Sequence, residues 1–253
     1  MITQETLHLL STKYHTSEYP NTVREYCQHL FLAALYKQEK AQHLLFKGGM
    51  ALRIVYMSPR FSEDLDFSLF DTKIHERQTL IEDIFQNALV ELEGIGLQVQ
   101  LGEKFGPTTD GYFGIAQVRF SDYPPVNIEI NISSRNGRKL TGNLATVAND
   151  FVSVYNLLQL PQEELVEEKI FGALLNRHKA RDFYDLYFII RKGLLTIDQK
   201  HRLSRAKETI ARTAAGINFN EELSALLPAD QHLIIKNFSG TLLAELDRQV
   251  AIP

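Results

Sequence analysis

Two aspartates one residue apart, Asp64 and Asp66, are the residues best placed to do chemistry. They open the run Asp-Leu-Asp-Phe-Ser-Leu, whose polar and apolar residues alternate as in a half-buried strand. Residues two apart on a strand share a face, so both carboxylates project together while Leu65 and Phe67 enter the core. Two like charges that close repel each other and call for a cation between them. Magnesium suits the role, with manganese as a substitute, because it is a hard ion that takes a few carboxylate oxygens and completes its shell with water and substrate phosphates. Asp-x-Asp pairs also occur on ordinary surfaces, so the residues upstream matter.

Upstream lies Lys47-Gly48-Gly49. A short apolar run, His43 to Phe46, reads as a strand, the paired glycines as a tight turn, and Met50 to Tyr56 as a helix. A turn that opens a helix presents backbone N–H groups to an anion, and Lys47 adds positive charge beside them. The spacing is not that of a Walker loop. The structural alternative is a plain strand-to-helix turn with a surface lysine. Taken together, a glycine turn, a helix and Asp-x-Asp on the next strand describe a nucleotidyl-transfer site. Glu129 is a candidate third carboxylate. It lies on the polar face of Val126 to Ile132, a strictly alternating strand, and completes a metal site only if that strand lies beside Asp64 and Asp66. Otherwise it is a solvent-facing glutamate.

The elements that must position these groups fall into two parts. Helical periodicity predicts helices over 4–13, 21–40 and 75–93, with strands over 97–101, 112–120 and 126–132. After about Ala145 the pattern turns helical, over 161–175, 180–192 and 197–213, with two more helices near the C-terminus. The expected fold class is α+β, with a mixed-sheet domain over 1–145 and a helical domain over 146–253, the site lying in the cleft between them.

The chain of 253 residues is 44% apolar and 23% charged, the composition of a folded protein rather than a disordered one. No apolar run is long enough to span a bilayer, and the N-terminus has no signal-peptide pattern, so the cytoplasm is the expected compartment. Cys27 stands alone, which excludes an internal disulfide and a Cys-based zinc site. The net charge of −4 argues against a general nucleic-acid coat protein. Between Arg177 and Arg212, however, ten Lys or Arg face only four Asp or Glu. That excess, which includes Lys200, Arg202 and Arg205, either meets a polyanion such as RNA or forms a solvated helical surface.

Four segments together resemble one family. Leu45-Phe-Lys-Gly-Gly-Met-Ala-Leu and Arg60-Phe-Ser-Glu-Asp-Leu-Asp-Phe, then Glu168-Lys-Ile-Phe-Gly-Ala-Leu and Arg181-Asp-Phe-Tyr-Asp-Leu-Tyr, are similar to the AbiEii/AbiGii nucleotidyltransferase toxins of the polymerase-beta-type superfamily. The resemblance implies that Gly48 and Gly49 hold nucleotide phosphates, that Asp64 and Asp66 bind magnesium, that Lys169 contacts the nucleotide, and that Asp182 is a further essential acid, with Asp185 as the alternative. It departs at Met50, where the family usually has Ser or Thr. Taken separately, Arg181 and Asp185 read as an ordinary i,i+4 surface pair, and Phe183, Leu186, Tyr187 and Ile190 as core. The resemblance also implies the toxin of a toxin–antitoxin or phage abortive-infection system, with an antitoxin partner. Its reaction would move NMP from NTP to RNA, the tRNA 3′ end being the leading acceptor. The competing readings are transfer to a protein or small molecule, and a non-catalytic NTP-binding or interaction protein.

Overall fold

The structure, a computed structural model, describes residues 1–102, 105–134 and 140–250. The chain forms two compact units: Met1–Met57 with Phe61–Leu160, and Ser58–Arg60 with the chain from Pro161 onward. Residues 58–60 therefore group with the second unit, while the residues immediately before Asp64 belong to the first.

The first unit begins with helices α1 (Gln4–Lys13) and α2 (Val23–Tyr36). Strand β1 (Leu44–Lys47), helix α3 (Gly48–Ile54), strand β2 (Asp64–Leu69) and helix α4 (Arg77–Gly94) follow. Then come β3 (Gln98–Leu101), β4 (Gly106–Thr108), β5 (Gly111–Arg119), β6 (Val126–Ser134), β7 (Asn143–Val147) and β8 (Tyr155–Gln159). They form one mixed sheet in the order β3-β5-β6-β2-β1-β8-β7, with β4 also paired to β5. The β2–β6 and β1–β8 pairs are parallel and the others antiparallel. Because β7 and β8 belong to this sheet, the units divide at 160/161 rather than after residue 145.

Alternation sends Leu65 and Phe67 of β2, and Ile128, Ile130 and Ile132 of β6, into the core, where all are buried. Phe67 meets Phe46 of β1 and Phe85 of α4, and Phe85 stacks on Phe31 of α2 at 5.6 Å between ring centroids. This aromatic column anchors α2 and α4 to one sheet face, and it leaves Asp64, Asp66 and Glu129, on the opposite alternation, half-buried.

The second unit is helical. α5 (Gln162–Val166) runs through a wider π-type coil at 167–174 into α6 (Leu175–Arg177). α7 (Ala180–Lys192), α8 (Ile197–Ala214), α9 (Phe219–Leu223), α10 (His232–Ile235) and α11 (Phe238–Val250) complete it. α7 ends at Gly193, whose φ of 71° is the left-handed geometry of a helix stop. α8 starts with a reciprocal capping box between Thr196 and Gln199. The core of the unit forms where Phe183, Tyr184 and Tyr187 of α7 meet Phe219 and Phe238. Phe183, Leu186, Tyr187 and Ile190 are all core, as the periodicity predicts. Among the described residues, no helix is long and apolar enough to cross a membrane.

Candidate active site

Strand register assembles the first group of candidate residues. β2 and β6 run parallel with Asp64 beside Glu129 and Asp66 beside Asn131, so the condition set on Glu129 is met. Directly paired residues of neighbouring strands share a face, which puts all three carboxylates on the same side of the sheet. On the other flank of β2, Lys47 is paired with Asp66. Its Nζ reaches over β2 and donates to Ser133 Oγ on β6 at 2.8 Å, and Ser133 Oγ lies 3.2 Å from Ser68 Oγ. A protein cation therefore already lies on the carboxylate face, so the charge there is not left wholly to a metal.

Gly48 shows why the turn needs glycine. Its φ is +82°, and a Cβ there would lie 2.7 Å from the Asp66 carboxyl carbon, inside van der Waals contact. The turn backbone and the Asp66 carboxylate thus occupy adjoining space, which any side chain at 48 would fill. Met50 is fully buried, so its side chain serves the core.

Carboxylates at this spacing are hard oxygen donors, the chemistry that magnesium or manganese takes. Asp64 and Asp66 suit such an ion, since two protein ligands are enough when phosphates and water supply the others. Among the described residues no three His, Cys, Asp or Glu side chains converge as a ready-made ligand set, so Glu129 shares the face without closing a three-carboxylate cage.

The second group lies in the helical unit. Arg60 forks onto Asp185, Nε to Oδ1 at 2.8 Å and Nη2 to Oδ2 at 3.1 Å, and Lys169 Nζ donates to Oδ2 at 2.8 Å. Asp185 and Arg60 are buried. Burial alone would raise the Asp185 pKa, but the two cations outweigh it and hold the carboxyl at about 2. Asp185 therefore pairs with residues remote in sequence, and the expected surface pair with Arg181 does not form. Asp182 has a different task. It accepts two bonds from Arg177, at 2.8 and 2.6 Å, and one from the Lys179 backbone N–H, which fixes the first turn of α7. The two acids are thus distinguished: Lys169 is gathered with Asp185, and Asp182 is committed to its own helix start. Arg60, the other partner of Asp185, lies in a motif segment, but its spacing alone does not mark it as a site residue.

The basic stretch is partly spoken for. Arg202 forks onto Glu167 at 2.9 and 2.7 Å and lies 3.8 Å over the Phe171 ring. Lys207 pairs with Asp247, and Arg191 donates to the Tyr187 hydroxyl. Lys192, Arg205 and Arg212 are exposed and Lys200 is half-buried.

The family described as nucleotidyl transferase AbiEii toxin, type IV TA system, matches residues 30–249, most of the chain. The chain belongs to the AbiEii family. It is accordingly a nucleotidyltransferase of a toxin–antitoxin family. Its fold is that of solved nucleotidyltransferases. MenT4, a nucleotidyltransferase toxin from Mycobacterium tuberculosis H37Rv, aligns at 16% identity and a TM-score of 0.59, covering 99% of this chain and 89% of that one. JHP933 from Helicobacter pylori aligns at 17% identity and a TM-score of 0.56, covering 92% of this chain and 96% of that one. No curated protein sequence matches the chain at a significant level.

Proposed function

We propose that this AbiEii-family chain moves a nucleotide from an NTP onto RNA, with the tRNA 3′ end as acceptor, in a magnesium-dependent reaction that restrains growth or phage from within the cytoplasm. The observation that carries the reading is the shared face of Asp64, Asp66 and Glu129, closed on one side by Lys47 and the Gly48 turn.

On this reading Asp64 and Asp66 hold magnesium, with Glu129 drawn in when substrate is present. When bound, the metal supplies positive charge at the α-phosphate and at the departing pyrophosphate. The chain's own groups do the rest. Backbone N–H groups of Gly48 and Gly49 hold phosphate oxygens, and the Lys47 ammonium offsets negative charge beside Asp66. Lys169 is proposed as a phosphate contact whose position Asp185 sets. Asp182, the acid named by the family likeness, is then a helix-start residue before it is an acceptor-orienting one. The exposed cations of α8 favour a polyanionic acceptor over a small molecule.

Incubation with total tRNA and each labelled NTP in turn, with magnesium, tests the reading. Label is expected on tRNA with one or more nucleotides and not in the Asp64→Ala variant. Label on protein or a small molecule instead would redirect the acceptor. Nucleotide binding with no transfer to anything would make the chain a binder without chemistry.

A further inference from the structure

Three polar side chains of α2 lead to the three segments that build the proposed site. Glu25 and Arg53 of α3 form a double hydrogen bond, Nε to Oε1 at 2.6 Å and Nη2 to Oε2 at 2.7 Å, with the carboxylate 8% and the guanidinium 11% exposed. The Arg53 guanidinium also sits 3.6 Å over the Phe61 ring, in the segment that leads to Asp64. Gln28, buried, donates from Nε2 to the carbonyl oxygens of Ser62 at 3.3 Å and Glu63 at 2.9 Å, immediately before Asp64. Tyr36 places its hydroxyl 3.0 Å from the carbonyl oxygens of Leu44 and Leu158, joining the start of β1 to β8.

Polar groups of this kind are unusual on a helix face turned to a core. Burying Glu25 and Gln28 costs desolvation unless each bond is made, so an apolar residue at either position would be the simpler way to dock a helix. A bidentate pair and a carboxamide fix direction as well as distance. Their targets are not spread over the unit. Glu25 holds the helix that the Gly48–Gly49 turn opens, and Gln28 holds the two peptide groups that deliver Asp64. Both residues precede the stretch that the family description covers, which begins at residue 30.

We infer that Glu25 and Gln28 are positioning residues. Glu25 sets the phosphate-binding turn through Arg53, and Gln28 sets the metal-binding carboxylate through the Ser62 and Glu63 carbonyls. The inference rests on the nucleotidyl-transfer reading above and adds a division of labour within it. Loosening α3 weakens nucleotide binding, and loosening the approach to Asp64 weakens metal binding.

The test pairs Glu25→Gln with Gln28→Met and uses Cys27→Ala, a buried change on the same helix, as the control for general loosening. Manganese binding is titrated by its paramagnetic signal, binding of each of the four ribonucleoside triphosphates by calorimetry, and unfolding by heat. Gln28→Met is expected to weaken manganese binding about tenfold, the size usual for groups that support a metal ligand, with nucleotide affinity at saturating metal held within about twofold. Glu25→Gln is expected to do the reverse, weakening nucleotide binding about tenfold through a displaced turn. Cys27→Ala is expected to lower the melting temperature and change neither affinity. If Glu25→Gln does not fold, the double change Glu25→Leu with Arg53→Leu removes both charges and carries the same expectation. Variants that only melt earlier, with both affinities at the wild-type value, would overturn the inference, as would equal losses of both affinities in both variants. A wild-type chain that bound neither probe would overturn the nucleotidyl-transfer reading itself, and that outcome is visible without any variant.

Discussion

Both units carry a pair of aspartates, and they treat them in opposite ways. In the sheet unit Asp64 and Asp66 lie half-buried on one face, next to a glycine turn where a Cβ at position 48 would collide with the Asp66 side chain. In the helical unit Asp182 and Asp185 are 1% exposed, and guanidinium groups grip both oxygens of each. A carboxylate already satisfied in a dry site gains little from a metal, because its existing bonds must first be broken. One half-buried at a sheet face keeps access to solvent, from which a metal ion can reach it. On the proposed reading, burial separates acids that serve the chemistry from acids that hold the scaffold.

The largest expected effect falls on the first pair. Asp64→Ala or Asp66→Ala should lower transfer by at least about 10²–10³-fold while leaving the melting temperature nearly unchanged. Near-normal turnover at limiting magnesium in either variant would erase the contrast between the two pairs.

Asp185→Asn should show the opposite profile, a loss of stability first. It leaves Arg60 and Lys169 without their buried counter-charge, and truncating one side of such a pair costs about 3–5 kcal/mol, measurable by urea unfolding. The pH dependence has a definite sign. The folded pKa of Asp185, about 2, lies below the ordinary 3.8. Its contribution is therefore complete above pH 4 and is lost as the pH falls toward 2. Asp185→Asn should remove that acid-side slope. A loss under 1 kcal/mol would show the pair to be no better than a surface one.

The sheet unit should weaken earlier in acid. His29 is buried against Tyr155, with Nδ1 2.9 Å from the hydroxyl, and burial lowers its pKa from 6.5 to about 4. The unfolded chain takes up that proton first, so stability is full above pH 6.5 and falls between 6.5 and 4, by about 3 kcal/mol over the window. His29→Gln should flatten the curve there and leave the Asp185 region as it was. An unchanged curve between pH 6.5 and 4 would locate the acid sensitivity elsewhere.

The smallest effect concerns the proposed acceptor face of α8. Neutralising Lys200 and Arg205 should reduce the log–log salt slope of tRNA binding by roughly 1.4, at ~0.7 per contact for a single strand. Arg202→Ala should cost stability and leave that slope alone, because its guanidinium is held by Glu167 and Phe171. Equal slopes for all three changes would mean that bulk charge, rather than this face, attracts the RNA.

Much of this architecture is legible in the sequence. The alternation of 64–69 and 126–132 identified β2 and β6 and the faces of Asp64, Asp66 and Glu129, because side-chain direction on a strand has a period of two. The apolar spacing of α7 marked its core face in the same way. β7 and β8 are not legible there because their residues do not alternate cleanly; β7, at the sheet edge, is exposed along most of its length. What makes them strands is pairing with each other and with β1, a contact that local pattern cannot report.

Periodicity gives each residue's face, and that is a local property of the chain. Which residue meets it from another segment depends on how distant segments are brought together. The sequence alone determined the same-face carboxylate pair, the glycine turn and the family to which the four segments point. Only the tertiary structure decided that Glu129 stands beside Asp64, that Lys47 reaches across to Ser133, and that Asp185 rather than Asp182 joins Lys169. It also decided that α2 holds the approaches to the site. Each of these is a meeting of side chains or strands far apart in the chain. Closing such a loop carries an entropy cost that only the assembled core offsets, so no window of local sequence records the outcome.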